Sequence, residues 1–173
     1  MNRLTDYIME QTQKILAIDS PTGFTAKAAA YVAEEYRRLG YEPQMTNKGG
    51  LVVRVSQGTE PGGTPETGAV VLQAHLDTLG GMVSAIDEKG RLSLSPLGGM
   101  NPNNGEAENC RGYTRDGRSY TGTFQLKNAS IHVNGDYNTT TRAYDKMEVV
   151  LDEIVDSRQG ALDLGILAGD VVC

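Results

Sequence analysis

Helical periodicity ends near Gly40, and this limits the fold more than any other feature of the 173-residue chain. Before that point Leu4, Tyr7, Ile8, Ile15 and Ile18 recur near helical spacing, with a polar gap at Gln11 and Thr12. The pattern predicts a helix over about residues 3–18. "DSPTG" then supplies turn chemistry through Pro21 and Gly23. A second helix is predicted over about 25–39, with Ala29, Val32, Tyr36 and Leu39 on its apolar face. Gly40 fits the left-handed position that stops such a helix. Most of the 21 glycines follow residue 39 in turn-like settings, so the remainder should be mainly short strands.

"EPQMT" and "LVVRV" flank "NKGG", a hairpin signal. "GTEPGGTPETG" is a polar Gly/Pro loop. "AVVLQA" is a continuous apolar run, the pattern of a strand buried on both faces of an α/β sheet, and it runs into His75. After Gly80 the texture changes. "MVSAI" and "RLSLSPL" alternate around "DEKG", and "GYTRDGRSYTGTF" repeats this around Asp116 and Gly117. "MEVVLDEIV" is a further strand, and "SRQGALDLG" one short helix capped by Asp156 or Ser157 and stopped at Gly165. These patterns predict an α/β segment over 1–78 and a small all-β module over 79–173. No repeat of solenoid period is visible.

A formal net charge of −6 argues against a nucleic-acid surface, which needs a basic stripe. No apolar run reaches the length of a membrane span. "MNRLTDYIMEQTQ" has no apolar signal core, so the expected compartment is the cytoplasm. Cys110 and Cys173 are isolated, lack metal-type spacing, and read as free thiols in a reducing compartment.

Ligands in open α/β sheets sit at the carboxyl ends of strands. His75 has that placement, and a neutral imidazole is a common ligand for zinc and similar ions. Asp77, two residues on, could reach back to the ring; a carboxylate accepting the second ring N–H fixes the tautomer and raises basicity. Gly80 and Gly81 would let the backbone turn away. His-x-Asp is a short pattern, and a strand-end histidine held by a structural hydrogen bond is the competing reading. His132, in "SIHVNG", alternates with Ile131 and Val133 on an expected strand and reads as structural. Glu148, Asp152 and Glu153 read as a solvated strand face, and Asp87, Glu88, Asp116 and Asp136 as turn residues. No phosphate loop, serine elbow or reactive-cysteine motif is present, and Ser20 and Ser130 have no histidine nearby in sequence.

"AHLDTLGGMVSAIDEKGRLSLSPLGGM", "SYTGT", "SIHV" and "LGILAGDVV" occur in that order. Together with "DSPTG" they resemble the N-terminal half of the glutamyl aminopeptidase and tetrahedral aminopeptidase family (metallopeptidase family 42), some of whose members carry an endoglucanase label. The resemblance implies a discontinuous, dinuclear-zinc α/β catalytic domain of the phosphorylase/hydrolase-like kind. A small inserted β-barrel of the dimerisation type would occupy 79–173. Gly50 departs from the asparagine common at that place in the family.

Carried over by position, His75 would be a metal ligand and Asp77 the carboxylate that orients it. The bridging aspartate, the Glu-Glu pair, a later aspartate and a later histidine of the family all follow the segment at which this chain ends. The expected function is therefore an N-terminal portion of a cytoplasmic metallo-aminopeptidase that removes N-terminal residues from peptides. Two divalent ions, zinc or cobalt, would serve the full-length protein, with weak or no binding and no turnover by these residues alone. Self-association through the barrel, and neither nucleic acid nor membrane, is expected. The alternatives are a non-catalytic assembly or binding module and, last, a glycoside hydrolase. The last needs paired carboxylates in a cleft usually lined by aromatics, and aromatics are 6% here with no tryptophan.

Overall fold

A computed structural model describes residues 3–55 and 70–173. The loop expected over 58–68 lies outside the described residues. The chain forms two compact units, Met1–Asp77 and Thr78–Cys173.

In the first unit, helices α1 (Arg3–Leu16) and α2 (Ala26–Arg38) occupy the two periodic segments. The half-buried residues of α1 are Tyr7, Gln11 and Ile15, one helical turn apart. Gln11 therefore belongs to the packing stripe: its Oε1 accepts from the Tyr31 hydroxyl at 2.6 Å. The other apolar residues of α1, Leu4, Ile8, Met9 and Leu16, stay exposed. Helix α2 buries small side chains, Ala28, Ala29 and Ala33, and ends before Gly40, whose φ is 86°. Strands β1 (Gln44–Met45) and β2 (Leu51–Val52) form the expected hairpin.

The apolar run after the loop corrects the expectation of a buried strand. Over 70–74 it forms no strand, and Val70, Val71 and Leu72 are 86%, 83% and 93% exposed. A strand is defined by exchanged backbone hydrogen bonds, and no described strand lies beside this segment. Sequence supplied the side chains of a buried strand without the neighbours that would bury it.

The second unit is a closed six-stranded barrel. Its strands are β3 (Gly80–Ile86), β4 (Leu92–Leu97), β5 (Asn109–Tyr113), β6 (Ser119–Leu126), β7 (Met147–Leu151) and β8 (Val171–Val172). They run in the order β3-β4-β7-β6-β5-β8, every pair antiparallel. Inward residues follow the period of two: Leu92 and Leu94 on β4, Phe124 and Leu126 on β6, Met147, Val149 and Leu151 on β7. Strand β3 breaks the period, burying Val83 and then Ile86. A bulge between Val83 and Ala85 inserts one residue and restores the inward direction. The Asp87–Gly90 turn is held by Asp87 Oδ1, which accepts from the amides of Lys89 and Arg91 at 2.8 Å each.

A short helix α3 (Pro102–Gly105) precedes β5, and α4 (Arg158–Asp163) lies between β7 and β8. Ser157 rather than Asp156 caps α4, accepting from Gly160 N at 3.2 Å, and Gly165 at φ 81° ends it.

Two further expectations are corrected. "SIHV" is a turn: Val133 and Asn134 amides both donate to the Ser130 carbonyl, and Ile131, His132 and Val133 are exposed. Local side chain–backbone bonds compete with strand pairing here, as when Asn134 Nδ2 donates to Asn128 O at 2.7 Å. Arg142 pins the far end of the same segment. It pairs with both Glu106 oxygens at 2.8 and 2.9 Å and donates to the carbonyls of Tyr137 and Thr140. Glu148 is also not a solvated residue. It is only 9% exposed, although it points out of the barrel between inward Met147 and Val149.

Neither Cys110 nor Cys173 is in a disulfide. Arg111 and Cys173 exchange both backbone hydrogen bonds, so their side chains share one face. Cys110, one residue before Arg111, faces the other way, and a bridge between the two cysteines is excluded by strand parity. Burial, helped by Asp152, pushes the Cys110 thiol up to about 11.

This packing leads to two expected outcomes. A Cβ on Gly122 would sit 2.6 Å from the Val150 carbonyl oxygen and 3.1 Å from Val149 Cγ1. Gly122→Ala should therefore destabilise the barrel by about 1–3 kcal/mol, read from chemical denaturation. Burial raises the Glu148 carboxyl above the ordinary glutamate range, with Arg91 opposing. A raised folded-state value favours the protonated folded chain, so its stabilisation is present in acid and lost as pH rises through that value. Glu148→Gln should raise Tm at pH 7, with the gain shrinking as the pH is lowered into the carboxylate range.

Candidate functional site

The His75–Asp77 segment is held from the other end of its own unit. Ser20, 2% exposed, donates from Oγ to the Leu76 carbonyl at 3.3 Å. Thr22 donates from Oγ1 to Asp77 Oδ2 at 2.6 Å. Both belong to the "DSPTG" turn after α1, whose buried Pro21 fixes the backbone. More than fifty residues of chain separate each donor from its acceptor.

The second Asp77 oxygen faces the histidine. His75 Nδ1 lies 3.3 Å from Asp77 Oδ1 and 2.9 Å from the Asp77 carbonyl oxygen. Two acceptors around one nitrogen favour the proton there, so Nδ1–H donates and, in the neutral ring, Nε2 carries the lone pair. The His75 side chain is 86% exposed. Hydrogen bonding from Thr22 holds the Asp77 carboxyl below its usual range, with His75 adding to this and burial opposing it. Asp77 is thus an anion at neutral pH, suited to accept from the ring.

The structure brings together the two residues singled out in sequence, His75 and Asp77. Thr22 carries no sequence signal beyond its place in a turn, and Ser20 stood out only as a hydroxyl without a histidine. Their role depends on contacts that no local pattern encodes. His132 lies in the other unit, exposed on its turn. The donor set fits a metal in kind: an exposed imidazole with a carboxylate behind it. Among the described residues, no three or more His, Cys, Asp or Glu side chains gather as a metal site. What these residues can offer an ion is one oriented ligand.

The model of the M42 glutamyl aminopeptidase family matches residues 57–173. A Bacillus subtilis (strain 168) protein named "Putative aminopeptidase YhfE" is 37% identical over 164 residues, 95% of this chain and 46% of that protein. An aminopeptidase from the archaeon Desulfurococcus kamchatkensis shares the fold with a TM-score of 0.76 at 24% identity, over 94% of this chain and 41% of its own. The Pyrococcus horikoshii TET1 peptidase, which can assemble into a tetrahedron or a large octahedral shell, gives a TM-score of 0.75 at 17% identity, over 95% and 45%. The chain thus spans less than half the length of each of these proteins. The α/β unit and barrel are the fold these structures share with it, and the family model covers well over half its residues: the chain belongs to the M42 glutamyl aminopeptidase family.

Proposed function

We propose that this chain is the N-terminal portion of a metal-dependent aminopeptidase that removes N-terminal residues from peptides. The observation that carries the reading is the exposed His75 ring, oriented by Asp77 and presenting Nε2, in a chain of this family. When bound, a pair of divalent ions, zinc or cobalt, would supply an activated water and a polarised scissile carbonyl. His75 would be a ligand to one of them. Asp77 would hold the ring proton on Nδ1, so that Nε2 stays unprotonated and points one way. A two-metal centre needs several ligands for each ion, and the described residues offer one oriented candidate, His75. The remaining ligands and the general base would come from the part of the enzyme that follows Cys173.

The cytoplasm is the proposed compartment; two unbridged thiols support it. No helix among the described residues is long and apolar enough to cross a membrane. Self-association is proposed as well, through the barrel or the uncovered run at Val70–Leu72. The named assemblies of the Pyrococcus horikoshii peptidase and the exposure of that run support it.

Three outcomes are expected. Zinc or cobalt added to the 173-residue chain gives no hydrolysis of an aminoacyl-anilide; metal-dependent turnover that survives repurification would overturn the assignment of the missing ligands. Zinc titrated into the chain perturbs the ring nitrogens of His75 and leaves those of His132 in place; a silent His75 removes it as a ligand and favours a non-catalytic assembly module. Light scattering at micromolar concentration gives a mass above that of one chain, and a clean monomer refutes self-association.

A further inference from the structure

The carboxylate of Asp77 has its two oxygens assigned to different partners. Oδ2 accepts from the Thr22 hydroxyl at 2.6 Å, and Oδ1 stands 3.3 Å from His75 Nδ1. The terminal torsion of an aspartate is broad and nearly two-fold, so an unrestrained carboxylate exchanges its oxygens and swings out of the ring's reach. The short hydrogen bond from Thr22 on Oδ2, the largest of the bonds that hold the carboxylate beside a lesser one from the Asp77 amide, restricts that freedom. Thr22 can hold it because its own backbone is fixed. Pro21 is buried, and the neighbouring Ser20 hydroxyl is tied to the Leu76 carbonyl.

We infer that Thr22 is a positioning residue of this site: its hydroxyl fixes the Asp77 carboxylate, and through it the tautomer and orientation of His75. The inference rests on the proposed reading of His75 as a ligand only for its purpose; the geometry itself involves no ion. Thr22 is exposed, so its hydroxyl is not a core contact whose loss would unfold the chain. The Asp77 carbonyl, 2.9 Å from Nδ1, remains when Thr22 is changed. Loss of the hydroxyl therefore weakens the Nδ1–H tautomer and does not abolish it.

The chain has two histidines, His75 and His132, so its ring-nitrogen spectrum has two sets of signals and an internal reference. In Thr22→Val, which keeps the shape and removes the donor, the Nδ1 and Nε2 resonances of His75 should move toward each other as the tautomers mix. Those of His132 should not move. Thr22→Ser, which keeps the donor, should restore the wild-type pattern. Partners that orient a ligating histidine are worth about 10- to 100-fold in metal affinity, and Thr22 acts one bond further out. Zinc affinity at His75 should accordingly fall by about tenfold or less in Thr22→Val.

His75 ring signals that are unchanged in Thr22→Val, or shifted equally by Thr22→Ser, overturn the inference. Where zinc does reach His75, equal affinity in wild type and Thr22→Val overturns it as well. If the rings respond to Thr22→Val but His75 is silent to zinc, the clamp stands and the ligand reading of His75 falls. If zinc reaches His75 while Thr22→Val changes nothing, the ligand reading stands and the clamp falls.

Discussion

Two residues close the barrel. Strand β8 consists of Val171 and Val172, and it is hydrogen-bonded to β3 on one side and to β5 on the other. Without it both would be open edges, each presenting unpaired amides and carbonyls. So short a strand holds because its approach is fixed. Val83 N donates to the Asp170 carbonyl and Gly169 N donates back to the Val83 carbonyl, each at 2.8 Å. Asp170, buried, accepts the Leu167 amide at 2.8 Å on Oδ2, while its Oδ1 lies 3.7 Å from Arg115 Nε. The inward rows of β4, β6 and β7 then enclose an apolar core to which Val172 also belongs.

Among the described residues the first unit has no comparable closure. Its described sheet is a two-stranded hairpin, α1 buries no residue completely, and the apolar run at Val70–Leu72 is exposed. Its order near the site comes from polar contacts over long sequence separations, Ser20 to Leu76 and Thr22 to Asp77, rather than from a core. Such bonds have direction, and direction is what fixes the orientation of an imidazole. A hydrophobic contact would hold the segment without specifying which ring nitrogen carries the proton.

The proposed site rests on three side chains: His75, Asp77 and Thr22. Asp77 is the middle member, accepting on one oxygen and facing the ring with the other. Its carboxyl is held low chiefly by Thr22, so it stays an anion and an acceptor across the neutral range. The proposed enzyme activity depends on further residues, but the form in which His75 is presented is decided within this chain.

The helices, the Gly40 stop, the β3–β4 and β5–β6 hairpins and the His75–Asp77 pair were legible in sequence. Each rests on local chemistry: a 3.6-residue period, a glycine with positive φ, a two-residue alternation, or a reach of two residues. Other features were not legible. Ile86 faces inward only because of a bulge one strand position earlier, and Glu148 is buried only because neighbouring groups cover an outward position. "SIHV" and "AVVLQA" have the alternation and the apolarity of strands, yet neither pairs, since pairing needs a partner strand that no local pattern guarantees. Sequence by itself thus determined the two helices, the hairpins, the change of texture near residue 79 and the family. Tertiary structure alone decided the barrel closure at Val171–Val172 and the seating of Thr22 on Asp77, because both join backbone or side chains that lie tens of residues apart.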